Sequence, residues 1–159
     1  MDLILWRHAE AEIRREGQSD LERALTSKGE RQAQRMADWL NHHLTESTRV
    51  LVSPAVRCQQ TATKLGRKFR TVKGLGPEAS VDDLLRLAHW PQASEPVLVI
   101  GHQPTLGTAC ARLLCGQDQP WHVKKASVWW LRQRQRETEL DVAQAVFVQA
   151  VLAPDNVRT

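Results

Sequence analysis

Three short apolar runs along the chain each end abruptly at polar residues. The runs cover residues 3–6, 50–52 and 96–100. An unbroken apolar run of this length, bounded by polar or turn-forming residues, is typical of a strand that is buried on both faces of a parallel sheet. The pattern therefore predicts three buried strands that belong to one mostly parallel sheet.

Four other stretches carry apolar residues at the three- and four-residue spacing of an amphipathic helix. They are residues 29–44, 55–69, 81–88 and 104–114. Ser27 and Glu30 have the spacing of a capping box at the start of the first helix, and Ser80 and Asp83 have it at the third. Gly116 is suited to end the fourth helix, because glycine readily adopts a left-handed conformation. Strands and helices thus alternate along most of the chain.

The last third of the chain changes character. Residues 126–131 and 146–151 are strand-like and are joined by a polar, charged connection, while residues 70–72 form a weaker strand candidate. We expect the C-terminal pair to complete the sheet. The predicted fold is an α/β three-layer sandwich with a mostly parallel central sheet and helices on both faces, and residues 1–159 are expected to form a single domain.

Charge, hydrophobicity and cysteine content exclude several classes to which the protein could belong. Lys and Arg exceed Asp and Glu by 22 to 18, a mild surplus that does not predict a nucleic-acid-binding surface. No apolar run approaches the roughly 20 residues of a membrane span, and no basic leader precedes the first run, so we expect a cytoplasmic protein without membrane association.

The three cysteines, Cys58, Cys110 and Cys115, form neither an even set for disulfides nor a C-x-x-C pair. We therefore expect them to be reduced residues of the core.

Polar side chains follow each of the three buried strands. Arg7 and His8 come directly after the first strand. Ser53 follows the second, with Arg57 one turn later, and His102 follows the third. Because the carboxyl ends of parallel strands meet at one sheet edge, these groups should converge into a cationic pocket suited to a phosphoryl group. A metal site fits less well, since two guanidiniums would repel a cation and no carboxylate cluster is present.

Four motifs lie at these strand ends and in the first loop. They are Arg7-His8, Asp20-x-x-Arg23-x-Leu25-Thr26-x-x-Gly29, Val52-Ser53-Pro54-x-x-Arg57-x-x-Gln60-Thr61 and Val99-Ile100-Gly101-His102-x-Pro104. In this order they resemble the histidine phosphatase superfamily, and within it the short phosphohistidine phosphatases of the SixA type. The resemblance covers most of the chain and implies a phosphoglycerate-mutase-like domain. Ala9 stands where the family usually has glycine.

The resemblance implies a two-step phosphoryl transfer that needs no metal and no other cofactor. His8 would attack phosphorus through one ring nitrogen and carry the phosphoryl group until water removes it. A backbone carbonyl or carboxylate on its other nitrogen would set the required tautomer. Arg7, Arg57 and His102 would hold the phosphoryl oxygens. Arg23 would be a further phosphate contact, although a purely structural role in a surface loop is as well supported.

The leaving group decides the substrate class. Larger family members take a general acid from the loop after the third strand, where this chain has Glu78 and Asp82 outside any recognisable acid motif. Imidazole leaves more easily than an alkoxide, so phosphohistidine can be cleaved with little acid help. The expected function is therefore a phosphatase for phosphohistidine on a protein, such as a phosphorelay or phosphocarrier domain.

Two other functions remain open at this point. A small-molecule phosphomonoesterase of the same fold would use Glu78 or Asp82 as its acid. A non-catalytic phosphate-binding or interaction module would draw on a surface patch of tryptophans. That patch would contain Trp90, Trp121, Trp129 and Trp130. The presence of His8 beside two arginines favours an enzyme, since binding alone needs only the cations.

Overall fold

The computed structural model describes residues 1–134 and 146–158, and within these ranges six strands form one sheet. The strands are β1 (Asp2–Arg7), β2 (Arg49–Val52), β3 (Arg70–Thr71), β4 (Val97–Gly101), β5 (Val128–Gln133) and β6 (Val146–Leu152). The α-helices of the same ranges are α1 (Ser27–His43), α2 (Val56–Thr63), α3 (Val81–Leu87) and α4 (Thr105–Cys115).

The sheet has the strand order β3-β2-β4-β1-β5-β6. The strands β1 to β4 pair in parallel, while β5 is antiparallel to both β1 and β6. This arrangement confirms the mostly parallel sheet and the addition of the C-terminal strands at one side. Most of the polar connection predicted between β5 and β6 lies outside the described residues.

The strand β1 sends its side chains into two hydrophobic cores on opposite faces of the sheet. Ile4 and Trp6 pack in a core with residues of α1 and α2, whereas Leu3 and Leu5 pack in a core with residues of α3 and α4. All four side chains are fully buried. A strand covered on both faces needs apolar residues at every position, which explains the unbroken apolar run and confirms the three-layer sandwich.

The helix α1 begins two residues before the predicted start, at Ser27. The N-cap is Thr26, not Ser27, because the Thr26 hydroxyl accepts a hydrogen bond from the Gly29 N–H at 2.9 Å. A Cβ atom at position 29 would collide with the carbonyl oxygen of Glu10. Glycine is therefore required where the helix packs against the chain segment that follows His8.

The helix α2 ends at Thr63, well before the predicted end at residue 69. The reason is Gly66, which adopts the left-handed conformation with φ of +64° and turns the chain. Leu65 and Phe69 still pack against the core from the following turn, so the apolar spacing continues after the helix has stopped. The predicted terminator of α4 is confirmed, since Gly116 has φ of +77°.

The cysteines and tryptophans differ in part from the expectations. Cys58 and Cys110 are buried thiols, but Cys115 is exposed, because it is the last residue of α4 and lies beyond the helix's packed face. Of the four tryptophans considered as a surface patch for an interaction module, Trp130 is buried and the other three are partly buried against the α3–α4 core, so core packing, the commoner fate of tryptophan, accounts for them. No helix in the described part of the chain is long and apolar enough to cross a membrane.

Candidate active site

The strands β1, β2 and β4 bring the predicted site residues to one edge of the sheet. Arg7 at the end of β1 lies opposite Gly101 at the end of β4, and the His8 N–H donates to the Gly101 carbonyl at 3.2 Å. The rings of His8 and His102 are 5.3 Å apart between centroids. Arg57 Nη2 lies 3.4 Å from His102 Nδ1. The four groups therefore share one site.

The backbone holds His8 in one tautomer. His8 is only 7% exposed, and its Nδ1 lies 2.7 Å from the carbonyl oxygen of Ala9. A carbonyl oxygen can only accept a hydrogen bond, so Nδ1 carries the proton and Nε2 keeps its lone pair. The Ala9 N–H in turn donates to Thr61 Oγ1 at 3.1 Å, which anchors the residue whose carbonyl orients the ring. His8 thus presents Nε2 as the nitrogen able to attack.

Both site histidines are neutral at pH 7. Burial lowers the pKa of His8 to about 4, with further lowering by the positive charges of Arg57, Arg7 and Arg23. Burial likewise lowers the pKa of His102 to about 3, and the neighbouring His8 and Arg57 act in the same direction. His8 therefore needs no separate base to expose its lone pair.

His102 is positioned between a serine and an arginine. Its Nε2 lies 2.7 Å from Ser53 Oγ, and the same hydroxyl oxygen accepts a hydrogen bond from the Ala55 N–H at 3.2 Å. Because a guanidinium can only donate, His102 Nδ1 accepts from Arg57 in this state and Nε2 donates to Ser53. The nearby Cys58 thiol is not a competing nucleophile, since burial raises its pKa to about 12.

The guanidinium of Arg57 is hydrogen-bonded to Asp20. Arg57 donates from Nη1 to the Asp20 carbonyl oxygen at 2.8 Å and from Nη2 to the Asp20 carboxylate at 3.0 Å. The Arg57 side chain is 3% exposed, whereas that of Asp20 is 45% exposed. Asp20 therefore reaches in from the surface and neutralises a buried cation, as an anionic ligand would.

Two buried donors in the site are unsatisfied. Within the described residues, Arg7 Nε and Arg57 Nε have no hydrogen-bond partner. Buried N–H groups without partners are uncommon and costly in folded proteins. An oxyanion between the two arginines would be able to satisfy them.

Arg7 and Arg23 are each held by a neighbouring loop. Arg7 Nη1 donates to the Val123 carbonyl at 2.9 Å. Arg23 donates from Nε to the Asp20 carboxylate at 2.9 Å and from Nη1 to the Glu12 carbonyl at 3.0 Å. Asp20 thereby links Arg23 to Arg57, and the Arg23 charge lowers the pKa of His8. The structure thus places Arg23 at the border of the site.

The two acid candidates lie in different places. Glu78 is exposed and, together with Asp20 and Pro54, lines a groove of about 820 Å³ beside the site. Asp82 instead forms an ion pair with Arg112 of α4. Among the described residues, neither carboxylate is hydrogen-bonded to a histidine or arginine of the site. In the same part of the chain, no group of three His, Cys, Asp or Glu side chains is arranged to hold a metal ion.

Comparison with known proteins identifies the family. The family model of the histidine phosphatase superfamily (branch 1) matches residues 3–86. A phosphohistidine phosphatase SixA homolog from Haemophilus influenzae is 31% identical over 161 residues, which cover 91% of this chain and 96% of that protein. The chain belongs to the histidine phosphatase superfamily.

Further relatives agree with this membership. Phosphohistidine phosphatase SixA from Escherichia coli is 31% identical over 134 residues, covering 79% of this chain and 82% of that protein. A solved structure of the protein histidine phosphatase SixA complexed with tungstate superposes with a TM-score of 0.75 at 28% identity, covering 98% of this chain and 99% of that one. This chain is therefore similar to SixA proteins in both sequence and fold.

Two parts of the site were not predicted from the sequence. The pairing of Asp20 with Arg57 was not predicted, although Asp20 opens the motif that contains Arg23. The loop before β5 was not predicted to reach the site either, yet its Val123 carbonyl holds Arg7. The left-handed residue Ala126, with φ of 61°, shapes this loop, and an alanine gives no sequence signal for such a turn.

We expect the protein to lose stability as the pH falls below 6.5. A histidine in the unfolded chain titrates near 6.5, whereas buried His8 takes a proton only at about 4. The unfolded state therefore binds a proton that the folded state does not, and His8 alone should lower the free energy of unfolding by about 2 kcal/mol at pH 5 relative to pH 7. Urea denaturation at both pH values measures this loss.

The matched variants of this experiment are His8→Asn in the site and His42→Asn on the exposed surface of α1. The first should lose less stability than the wild type between pH 7 and pH 5. The second should behave as the wild type does. An unchanged pH dependence in His8→Asn would contradict the assignment of this loss to His8.

Proposed function

We propose that this protein is a phosphohistidine phosphatase that removes the phosphoryl group from a histidine of another protein through a covalent intermediate on His8. The observation that carries the proposal is the hydrogen bond from His8 Nδ1 to the Ala9 carbonyl, which leaves a neutral Nε2 lone pair beside Arg7 and Arg57. The relatives named phosphohistidine phosphatase support the substrate class. The cytoplasmic location expected from the sequence belongs to the same proposal.

In the first step, the lone pair of His8 Nε2 forms a bond to phosphorus while the bond between phosphorus and the substrate imidazole breaks. The electron pair of that bond returns to the leaving imidazole nitrogen. Arg7 and Arg57 hold the phosphoryl oxygens, on which charge is spread in the transition state. As His8 becomes phosphorylated its ring gains positive charge, which the Ala9 carbonyl stabilises through Nδ1–H.

In the second step, water attacks phosphorus, the bond to His8 Nε2 breaks, and the products are inorganic phosphate and neutral His8. The arginines supply the charge stabilisation in both steps, so we propose a reaction without a metal ion. The structure of the tungstate complex of a SixA protein shows that one relative binds an oxyanion.

Phosphate binding requires two local exchanges in this scheme. The phosphoryl oxygens take over the Arg57 donors that Asp20 occupies in this structure. His102 must turn from acceptor to donor at Nδ1, and rotation of the Ser53 hydroxyl allows this, because Ser53 can donate to Nε2 instead of accepting from it. Ser53 is therefore proposed as the residue that sets the His102 tautomer.

We expect a protein phosphohistidine to be a better substrate than a phosphate monoester. Among the described residues, Asp20 is the one carboxylate hydrogen-bonded to the site arginines, and its contacts with Arg57 and Arg23 hold its pKa below the usual range, so it stays ionised. An alkoxide leaving group would therefore lack a placed acid, whereas imidazole needs little help. Phosphate release from a phosphohistidine-bearing domain and from a phosphate monoester, each measured with and without a chelator, tests this. Chelation should leave the rates unchanged.

The rival function is a phosphomonoesterase that uses Glu78, which lines the groove beside the site. The variant Glu78→Gln distinguishes the two functions. We expect it to change turnover of the phosphohistidine domain by less than about threefold, because a removed general acid would cost roughly 100-fold or more. Faster turnover of the ester, together with a large loss in Glu78→Gln, would overturn the proposal in favour of the phosphomonoesterase.

A further inference from the structure

A second pocket adjoins the proposed phosphate site on the side of Arg7. Its volume is about 360 Å³, and Arg7 is part of its lining. The other basic residues in the lining come from the start of α1 and from the loop before β5. They are Lys28, His122, Lys124 and Lys125. Because Arg7 belongs both to the proposed phosphate site and to this second pocket, a group bound in the pocket would lie next to the phosphoryl group.

The loop before β5 is fixed rigidly to the end of β1. The Val123 carbonyl accepts from Arg7 Nη1 at 2.9 Å, and the Ser127 carbonyl accepts from the Arg7 N–H at 3.1 Å. The Ala126 N–H donates to the His8 carbonyl at 3.0 Å, and its own carbonyl accepts from Trp6 Nε1 at 2.9 Å. Lys124 and Lys125 therefore stand on a loop that is attached to the nucleophile and to its neighbouring arginine.

The positive charges of this pocket are available. Among the described residues, Lys28, Lys124 and Lys125 take part in no ion pair. The lining contains two carboxylates, and that of Glu10 already accepts a hydrogen bond from the Thr26 hydroxyl at 2.8 Å. The basic groups thus outnumber the acidic ones, and the pocket is suited to an anion.

The groove on the other side of the site lacks this surplus of free cations. Its charged lining consists of Asp20, Glu78 and Asp83 with a single cation, Lys73. Asp20 and Asp83 are already paired with arginines, so Glu78 is the carboxylate of this lining that takes part in no ion pair among the described residues. A partner protein would therefore meet several unpaired lysines on one side of the site, and one lysine opposed by Glu78 on the other. This asymmetry favours an acidic group on the side of Lys124.

We infer that the pocket lined by Arg7, Lys124 and Lys125 is a specificity subsite that receives an acidic side chain flanking the phosphohistidine of the partner protein. This inference rests on the proposed phosphohistidine phosphatase function. The subsite steers the partner into one orientation, so its charges act on association and are screened by salt. Contacts between exposed charges are individually weak, and several of them together give an effect of about tenfold in kcat/KM.

The test uses two synthetic phosphohistidine peptides of equal length, one with glutamates beside the phosphohistidine and one with glutamines. At low ionic strength the wild type should have a kcat/KM about tenfold higher for the glutamate peptide. At about 0.3 M salt this preference should shrink towards equality, because the Debye length falls to roughly 6 Å and the attraction between exposed charges is screened. A preference that persists unchanged in high salt would contradict an electrostatic subsite.

The double variant K124E/K125E should lose the preference or favour the glutamine peptide. Its matched control is K64E/K68E, which changes the net charge equally but lies beyond the end of α2 and before β3, at the sheet edge opposite the site. The control should keep the wild-type ratio of the two kcat/KM values. A ratio unchanged in K124E/K125E would overturn the inference.

The subsite and the phosphatase function are contradicted by different results. Equal kcat/KM values for the two peptides in the wild type would overturn the subsite and leave the phosphohistidine phosphatase proposal standing. Absence of phosphate release from both peptides and from a phosphohistidine-bearing domain would overturn the proposed function, and the subsite with it. The salt dependence of the wild type provides a result even where a variant fails to fold.

Discussion

The variant His8→Asn is expected to lose phosphatase activity by at least about 10³-fold, because no nucleophile remains at the position of Nε2. Asparagine can retain an N–H near the position of Nδ1, so the hydrogen bond to the Ala9 carbonyl and the fold should survive. Phosphate release from a phosphohistidine-bearing domain measures the effect. The control is His42→Asn on the surface of α1, which should have wild-type activity.

Rapid quenching of the same reaction gives a second, more direct result. The wild type should accumulate a phosphoryl group on His8 that is labile in acid and stable in alkali, as a phosphoramidate is. His8→Asn should show none. Retained turnover in the variant would contradict covalent catalysis by His8, and a wild-type protein that binds phosphate without forming this intermediate would instead be the non-catalytic module considered above.

The second large effect is expected for Arg57→Lys, which should lower kcat/KM by roughly 100- to 1000-fold. Arg57 is buried and donates from two nitrogen atoms at once, to Asp20 in this structure and to phosphoryl oxygens in the proposed complex. Lysine keeps the positive charge but has neither the planar fork nor its reach to two acceptors. The loss therefore tests the geometry of the donors separately from their charge.

Two measurements accompany Arg57→Lys. Tungstate, the oxyanion found in the SixA complex, should bind to the variant more weakly than to the wild type. The control Arg86→Lys, on an exposed arginine that pairs with Asp83 in α3, should leave both activity and tungstate binding unchanged. Wild-type turnover in Arg57→Lys would show that its guanidinium does not hold the transferring group.

Asp20 takes the position at Arg57 that a phosphoryl group would take in the proposed complex. The carboxylate pairs with both Arg57 and Arg23, and these contacts together with the hydrogen bonds hold the pKa of Asp20 below its usual range against the effect of burial. An exposed carboxylate can withdraw into water at small cost when a phosphoryl group competes for the same donors. The buried arginine is thus neutralised in the free protein without being blocked permanently.

Local hydrophobic patterns predicted the strands and helices but misplaced the start of α1 and the end of α2. The apolar runs located β1, β2 and β4, since a strand buried on both faces must be apolar at every position. The predicted start of α1 was two residues late because Thr26 and Ser27 are both good caps, and in the structure the Thr26 hydroxyl is the one that accepts from the Gly29 N–H. The end of α2 was misplaced because Leu65 and Phe69 continue the apolar spacing past the left-handed Gly66.

The sequence by itself determined which residues stand at the carboxyl ends of the buried strands, because hydrophobic spacing is local and parallel strands must end at the same edge of their sheet. It therefore predicted the convergence of Arg7, His8, Arg57 and His102. Only the tertiary structure decided that Asp20 pairs with Arg57, that the loop at Val123 holds Arg7, and that burial lowers the pKa of His8 to about 4. These features depend on desolvation and on contacts between residues far apart in the chain, for which no local pattern exists.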